Sequence, residues 1–271
     1  MKQLIKSFLY LLPRFFSEKN FLIFLNHVKL IFISFMYHRL KKHSPEQEKK
    51  IRIMGYNISF FNFPFLINQF EEIFIYSSYH FKSANKNPFI LDCGSNIGMS
   101  VLYFTIFYPG SRIVAFEPDP DNFRVLEKNI DQNRFSNITA YNYALGLQEG
   151  SCKLFNSQSG KGSLNTSIYA NKPDAVFINV PMKRLSSFIQ EEIDFVKIDA
   201  EGAEGEIIQE LSEAGKLSRI KVMIIEYHLK CYLPEDKLIF MLKNAGFTFI
   251  SEHLLYAENT EKLLSFKKTL N

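Results

Sequence analysis

From Phe89 onward, short apolar runs alternate with stretches of helical periodicity. The runs 89-FIL-91, 113-IVAFE-117, 138-ITAYNY-143, 194-DFVKID-199 and 222-VMIIE-226 read as buried strands, and 120–133, 201–211 and 234–246 as helices. Strand and helix taking turns predict an α/β fold, a mostly parallel sheet with crossover helices. Ile97, Val101, Phe104 and Tyr108 share one helical face until Pro109-Gly110 ends it, and Asp119-Pro120 is an N-cap followed by a first-turn proline. The runs 247-FTFISE-252 and 262-KLLSFKK-268 suit a closing antiparallel pair. Ahead of this region, 51–62 alternates like a strand or hairpin and 64–79 has a helical pattern, while 41-KKHSPEQEKK-50 is a polar linker. The expected division is a basic, hydrophobic helical extension with linker (1–50), a lead-in (51–88) and a catalytic domain (89–271).

Charge changes the picture at the N-terminus. The first 55 residues hold 11 Lys/Arg against 3 Asp/Glu, although the whole chain carries only +4. That total does not imply nucleic acid as a partner. The run 21-FLIFLNHVKLIFISFMY-37 approaches a membrane span in length, but Lys29 in its middle would cost about 2.5–3.5 kcal/mol to insert. Lys2, Lys6, Arg14, Lys19, Lys29 and Arg39 among Phe and Leu suit a helix lying in an anionic interface, or else a helix docked on protein. The expectation is a cytoplasmic protein with peripheral membrane contact through residues 1–40 and no cleaved leader. Cys93, Cys152 and Cys231 lack disulfide or zinc spacing, which fits a reducing compartment.

Asp92, Glu117, Asp199 and Glu226 each stand at or beside the carboxyl end of an expected strand, where open α/β sheets bind ligands. Gly94 allows a sharp turn and Gly98 a close helix start. A dinucleotide fingerprint needs GxGxxG, and the middle glycine is Asn96 here. Glu117, 23 positions after Gly94, suits ribose hydroxyls. An acidic lip repels phosphates and favours a cationic nucleoside. S-adenosylmethionine has that chemistry; a nicotinamide-dependent reductase is the alternative.

The blocks 92-DCGSNIG-98, 115-AFEPDPDNFRVLEKNI-130, 143-YALG-146, 196-VKIDAEGAE-204 and 224-IIEYH-228 together resemble the FkbM-type S-adenosylmethionine-dependent methyltransferases. The resemblance implies a class I, Rossmann-like, seven-stranded sheet with a reversed last strand, and methylation of hydroxyls on sugars and polyketides. It also implies that the turn Gly94, Ser95, Asn96 and Gly98 cradles the methionine part, that Glu117 holds the ribose, and that Asn142 and Ala144 flank the adenine; from charge, the cofactor's ammonium suits the acids near Asp92 or Asp199. Asn142 has a turn cap as its other reading. The family's acidic stretch before the fourth strand reads 184-RLSS-187 here, so no role passes to it.

Transfer to an alcohol needs a base or an acidifying metal. The candidates are Asp199, Glu201, Glu204, Glu226 and His228, with Lys197 paired to Glu226 across strands or orienting substrate. Glu201 is expected to open the helix after Asp199, and Glu204 to serve that helix start. A divalent metal at Asp199, Glu226 and His228 is a secondary reading. Cys93 reads as a packed small residue. The polar segment 157–174 suits a lid or hairpin, with Ser163, Asn165 and Thr166 available to sugar hydroxyls. The expected activity is O-methylation of a sugar, glycolipid or related natural product; a non-catalytic membrane-tethered binding module is the remaining alternative.

Overall fold

The computed structural model describes residues 18–39, 47–156, 166–169, 176–229, 231–254 and 261–269. Ser163 and Asn165 lie outside the described residues, as do Lys2, Lys6 and Arg14. A long helix α1 (Glu18–Arg39) precedes a hairpin of β1 (Lys49–Ile53) and β2 (Tyr56–Phe60), and α2 (Phe63–Phe70) runs on into a π-helical turn, Glu71–Ile75. The sheet begins with β3 (Phe89–Cys93), α3 (Met99–Phe107), β4 (Arg112–Phe116), α4 (Pro120–Gln132) and β5 (Ile138–Tyr141). A smaller sheet follows, made of β6 (Ala144–Leu145), β7 (Gly150–Asn156), β8 (Thr166–Ser167) and β9 (Phe177–Lys183). The chain then returns through β10 (Ile193–Ile198), α5 (Glu204–Glu213), β11 (Ile220–His228), α6 (Glu235–Asn244), β12 (Phe247–Leu254) and β13 (Glu261–Lys268).

Seven strands lie in the order β12-β13-β11-β10-β3-β4-β5. The pairs β3/β4, β4/β5, β10/β3 and β10/β11 are parallel, whereas β13 runs antiparallel to both of its neighbours. One reversed strand, the last, is what the resemblance implied. Winding goes outward from β3 in one direction and returns at β10 in the other, so a crevice opens between their carboxyl ends.

Strand periodicity divides the core into two layers. Ile90, Phe195 and Ile224 face the hairpin, α2, α3 and α4; Leu91, Val196 and Ile225 face α5 and α6. Burial on both faces is why these strands read as continuous apolar runs. The start of α4 is as expected: Asp119 accepts hydrogen bonds from the amides of Asp121 and Asn122, at 2.9 and 3.0 Å. The hairpin and α1 pack into the same cluster as the sheet, since Ile23, Leu30, Ile53 and Ile58 belong to it. Asn129 of α4 reinforces this, accepting from the Ser59 amide at 2.7 Å and donating to the Ile97 carbonyl at 2.8 Å.

One boundary differs from expectation. The helix after Asp199 starts at Glu204, with Ala203 as its N-cap, and Glu201 sits in the preceding turn at φ +51°. Glu204 does serve the helix start: its Oε1 accepts from the amides of Ala200 and Gly202, both at 3.0 Å. Of the segment 157–174 only 166–169 are among the described residues, and Thr166–Ser167 pair as β8 with β7, which also pairs with β9.

Candidate active site

The turn after β3 shows why two glycines are needed. Gly94 has φ +86°, and a Cβ there would lie 1.7 Å from the Asp199 carbonyl oxygen at the end of β10. Its neighbour strand, rather than a ligand, excludes a side chain. Gly98 has φ +93° and caps α3, with Leu126 of α4 packed against it. The amides of Gly94 and Ser95 both donate to the Phe116 carbonyl at 2.9 Å, which pins the turn to the end of β4.

A cavity of about 540 Å³ opens at this edge. That is within the size range of small-ligand sites. Gly94, Ser95, Asn96, Glu117 and Ala144 line it on one side, and Lys197, Asp199, Glu201 and Glu226 on the other. Glu117 is held by the amides of Asn96, at 2.8 Å to Oε2, and Asp119, at 2.9 Å to Oε1. Each carboxylate oxygen still has a lone pair to offer. Burial pushes the Glu117 carboxyl up to about 8.

Asp92, Asn142 and His228 are placed differently from their expected roles. Asp92 is fully buried beneath the cavity, accepting from Ser100 Oγ at 2.6 Å and lying 3.5 Å from Lys197 Nζ. It faces an interior lysine and is not among the residues that line the cavity. Asn142 donates to the carbonyls of Glu117 and Pro118 at 2.8 and 3.0 Å, so it fastens the end of β5 to the end of β4. That is its turn-cap reading. His228 stands behind the wall, with Nδ1 3.0 Å from Glu204 and Nε2 3.4 Å from Glu201. Burial favours the neutral ring, but Glu204 and Glu201 overcome it and raise His228 to about 10, so it is an imidazolium at neutral pH.

Lys197 pairs with different acids from the one expected. Its ammonium donates to the Gly94 carbonyl at 2.6 Å and to Asp199 Oδ2 at 3.1 Å, with Asp92 on the adjacent strand. Burial opposes the charge, yet Asp199, Asp92 and Glu226 hold the ammonium well above its ordinary value. Glu226 instead meets two residues with no sequence signal: Glu72, to which it is hydrogen-bonded, and Tyr79, whose hydroxyl lies 3.3 Å from Glu226 and 3.2 Å from Glu72. Burial, with Asp199, pushes Glu72 up to about 7 and Glu226 well above the carboxylate range. All three line the cavity. Cys93 is fully buried and its thiol is pushed up by that burial, as a packed residue should be.

Relatives point the same way. The family model described as "Methyltransferase FkbM domain" matches residues 92–249. "Methyltransferase 1" of Beauveria bassiana (strain ARSEF 2860) is 32% identical over 164 residues, 53% of this chain and 66% of that protein. "Methyltransferase sdnD" of Sordaria araneosa is 30% identical over 202 residues, 63% of this chain and 77% of that protein. Among solved structures, methyltransferase FkbM from Methylobacillus flagellatus KT has a TM-score of 0.48 and 16% identity, covering 75% of this chain and 54% of that one.

Proposed function

Because this chain belongs to the FkbM methyltransferase family, we propose that it is an S-adenosylmethionine-dependent O-methyltransferase acting on a hydroxyl of a sugar, glycolipid or related natural product. The family match removes the support for the nicotinamide reductase. The observation that carries the choice of a hydroxyl acceptor is the buried Glu72–Glu226–Tyr79 group in the cavity wall. An alcohol must lose a proton on methylation, and these carboxyls are placed in the cavity with a value near neutrality at Glu72.

The cofactor fits the other half of the cavity. Glu117 offers ribose hydroxyls a fixed carboxyl, in contacts worth about 1.5–3 kcal/mol, and the Gly94–Asn96 turn, whose amides already donate to Phe116 and Glu117, shapes the wall beside it. When bound, the cofactor supplies an electrophilic methyl group on a sulfonium. The acceptor's proton passes to a carboxylate oxygen of the Glu72–Glu226 pair. Lys197 stays charged and fixes Asp199, so it positions rather than titrates. His228, already protonated, is not the base. The ligand atoms of Asp199, Glu226 and His228 lie within 4.8 Å of one another, but a divalent cation there would displace the Lys197 contact and the imidazolium proton. We therefore keep a side-chain base in this reading.

The test is calorimetric titration of S-adenosylmethionine with the Glu117→Ala protein, alongside labelled methyl transfer to cellular glycans and lipids. Affinity should fall by about 10- to 100-fold in a protein that still folds. Unchanged affinity refutes the assignment of Glu117, and label appearing only on nitrogen or carbon refutes the hydroxyl acceptor.

A further inference from the structure

Helix α1 is apolar on both sides, with Ile23 and Leu30 in the core and Phe24, Ile31 and Ile33 packed against it. The side against the protein carries Ile23, Asn26, His27, Leu30 and Ser34, all buried. The opposite side carries Leu22, Leu25, Val28, Phe32 and Met36, with Leu25 46% and Phe32 63% exposed. A helix docked on a soluble core ordinarily turns a polar face to solvent. Large exposed apolar faces mark interaction sites.

The orientation is fixed by bonds, so it is not a loose rotation. Asn26 Oδ1 accepts from the Met54 amide at 3.0 Å, and His27 Nε2 lies 2.5 Å from Glu71. Lys29 donates to the Arg52 carbonyl at 2.8 Å. Turning the helix to hide Phe32 would break all three. A helix crossing the bilayer would break them too, although Lys19–Met36 is long and apolar enough to cross.

Charge selects the occupant. No Asp or Glu lies between Lys19 and Met36, and the first 55 residues hold 11 Lys/Arg against 3 Asp/Glu; Lys19 and Lys29 are exposed, each with one ammonium bond to the protein, to the Ile106 and Arg52 carbonyls. A second copy would bring basic rim against basic rim. Anionic headgroups would meet the lysines while acyl chains take the apolar side chains, over a stripe of roughly 20 Å between Leu22 and Met36. We infer that the outward face of α1 lies along an anionic lipid surface, the helix axis in the membrane plane.

The experiment is sedimentation of the full chain with phosphatidylcholine vesicles that contain or lack phosphatidylglycerol, at low and high salt. Binding should require the anionic lipid, weaken with salt, and fall at least about tenfold in Leu25→Glu/Phe32→Glu. Both side chains are exposed, so thermal unfolding should match the parent. Three results overturn the inference. One is equal vesicle binding by parent and variant. Another is a parent dimer in ultracentrifugation that the variant loses while the parent ignores vesicles, which gives the face to a second copy. The third is binding that survives the double substitution but is lost when residues 1–17 are removed. None of these readouts uses methyl transfer, so the result is independent of the acceptor.

Discussion

Three glycines with nearly the same backbone angle offer a graded test of how the cofactor turn is built. Gly55, Gly94 and Gly98 have φ of +92°, +86° and +93°. Alanine at Gly55 meets nothing within 4 Å, so it reports the cost of left-handed backbone alone, about 1 kcal/mol. At Gly98 the new Cβ would be 2.8 Å from Leu126 Cδ1, the tip of a flexible side chain that can shift, which raises the expected cost to about 2 kcal/mol. At Gly94 it would be 1.7 Å from the Asp199 carbonyl oxygen and 2.9 Å from its carbon. Backbone must then move by more than an ångström where the Asp199 amide donates to the Cys93 carbonyl at 3.0 Å. Strain, overpacking and a lost ladder bond together come to about 4–6 kcal/mol. That approaches the whole stability of a typical domain. Urea unfolding followed by circular dichroism measures all three, with the slope checked for two-state behaviour. If Gly94→Ala costs no more than Gly55→Ala, the close approach of β3 and β10 is not what requires the glycine.

Other perturbations address the charged interior. Lys197→Met should destabilise by about 3–5 kcal/mol, because Asp92 and Asp199 lose a buried cation; a midpoint shift under 1 kcal/mol would show that they need none. His228 is raised from its ordinary 6.5 to about 10, so its contribution to stability is complete below about pH 6.5 and is lost as pH rises through 10. Unfolding midpoints of parent and His228→Gln should therefore converge as pH rises over that window, and parallel curves would rule out the imidazolium. In the proposed reaction, Glu72→Gln should lower kcat by about 10²–10⁴ while cofactor affinity stays, and the parent rate should climb through pH 7 as the carboxyl loses its proton.

What the sequence made legible was local. The Asp119 cap, the Gly94–Gly98 turn, Glu117 and the closing pair depend on backbone geometry within a few residues, and each leaves a fixed signature. Glu72 and Tyr79 carry no local signal because their role rests on Glu226, 147 positions beyond Tyr79, and an acid in a helical stretch ordinarily reads as solvated surface. Lys197 was recognised as a charge needing a carboxylate but was assigned to β11; parallel register with β3 sets it opposite Asp92 instead. That pairing was available from the alignment of 89–93 with 194–198, once the two strands were taken as neighbours. The direction of α1 is hidden for another reason: composition gives an apolar helix with a few polar residues, and its bonds to Met54, Glu71, Arg52 and Ile106, far along the chain, decide which side faces in.

The wide turn Glu71–Ile75 gives two adjacent acids opposite duties. Glu71 reaches back to His27 on the outer helix, while Glu72 reaches forward to Tyr79 and Glu226 in the cavity. One peptide bond therefore separates the residue that holds the outer helix from a residue of the cavity wall.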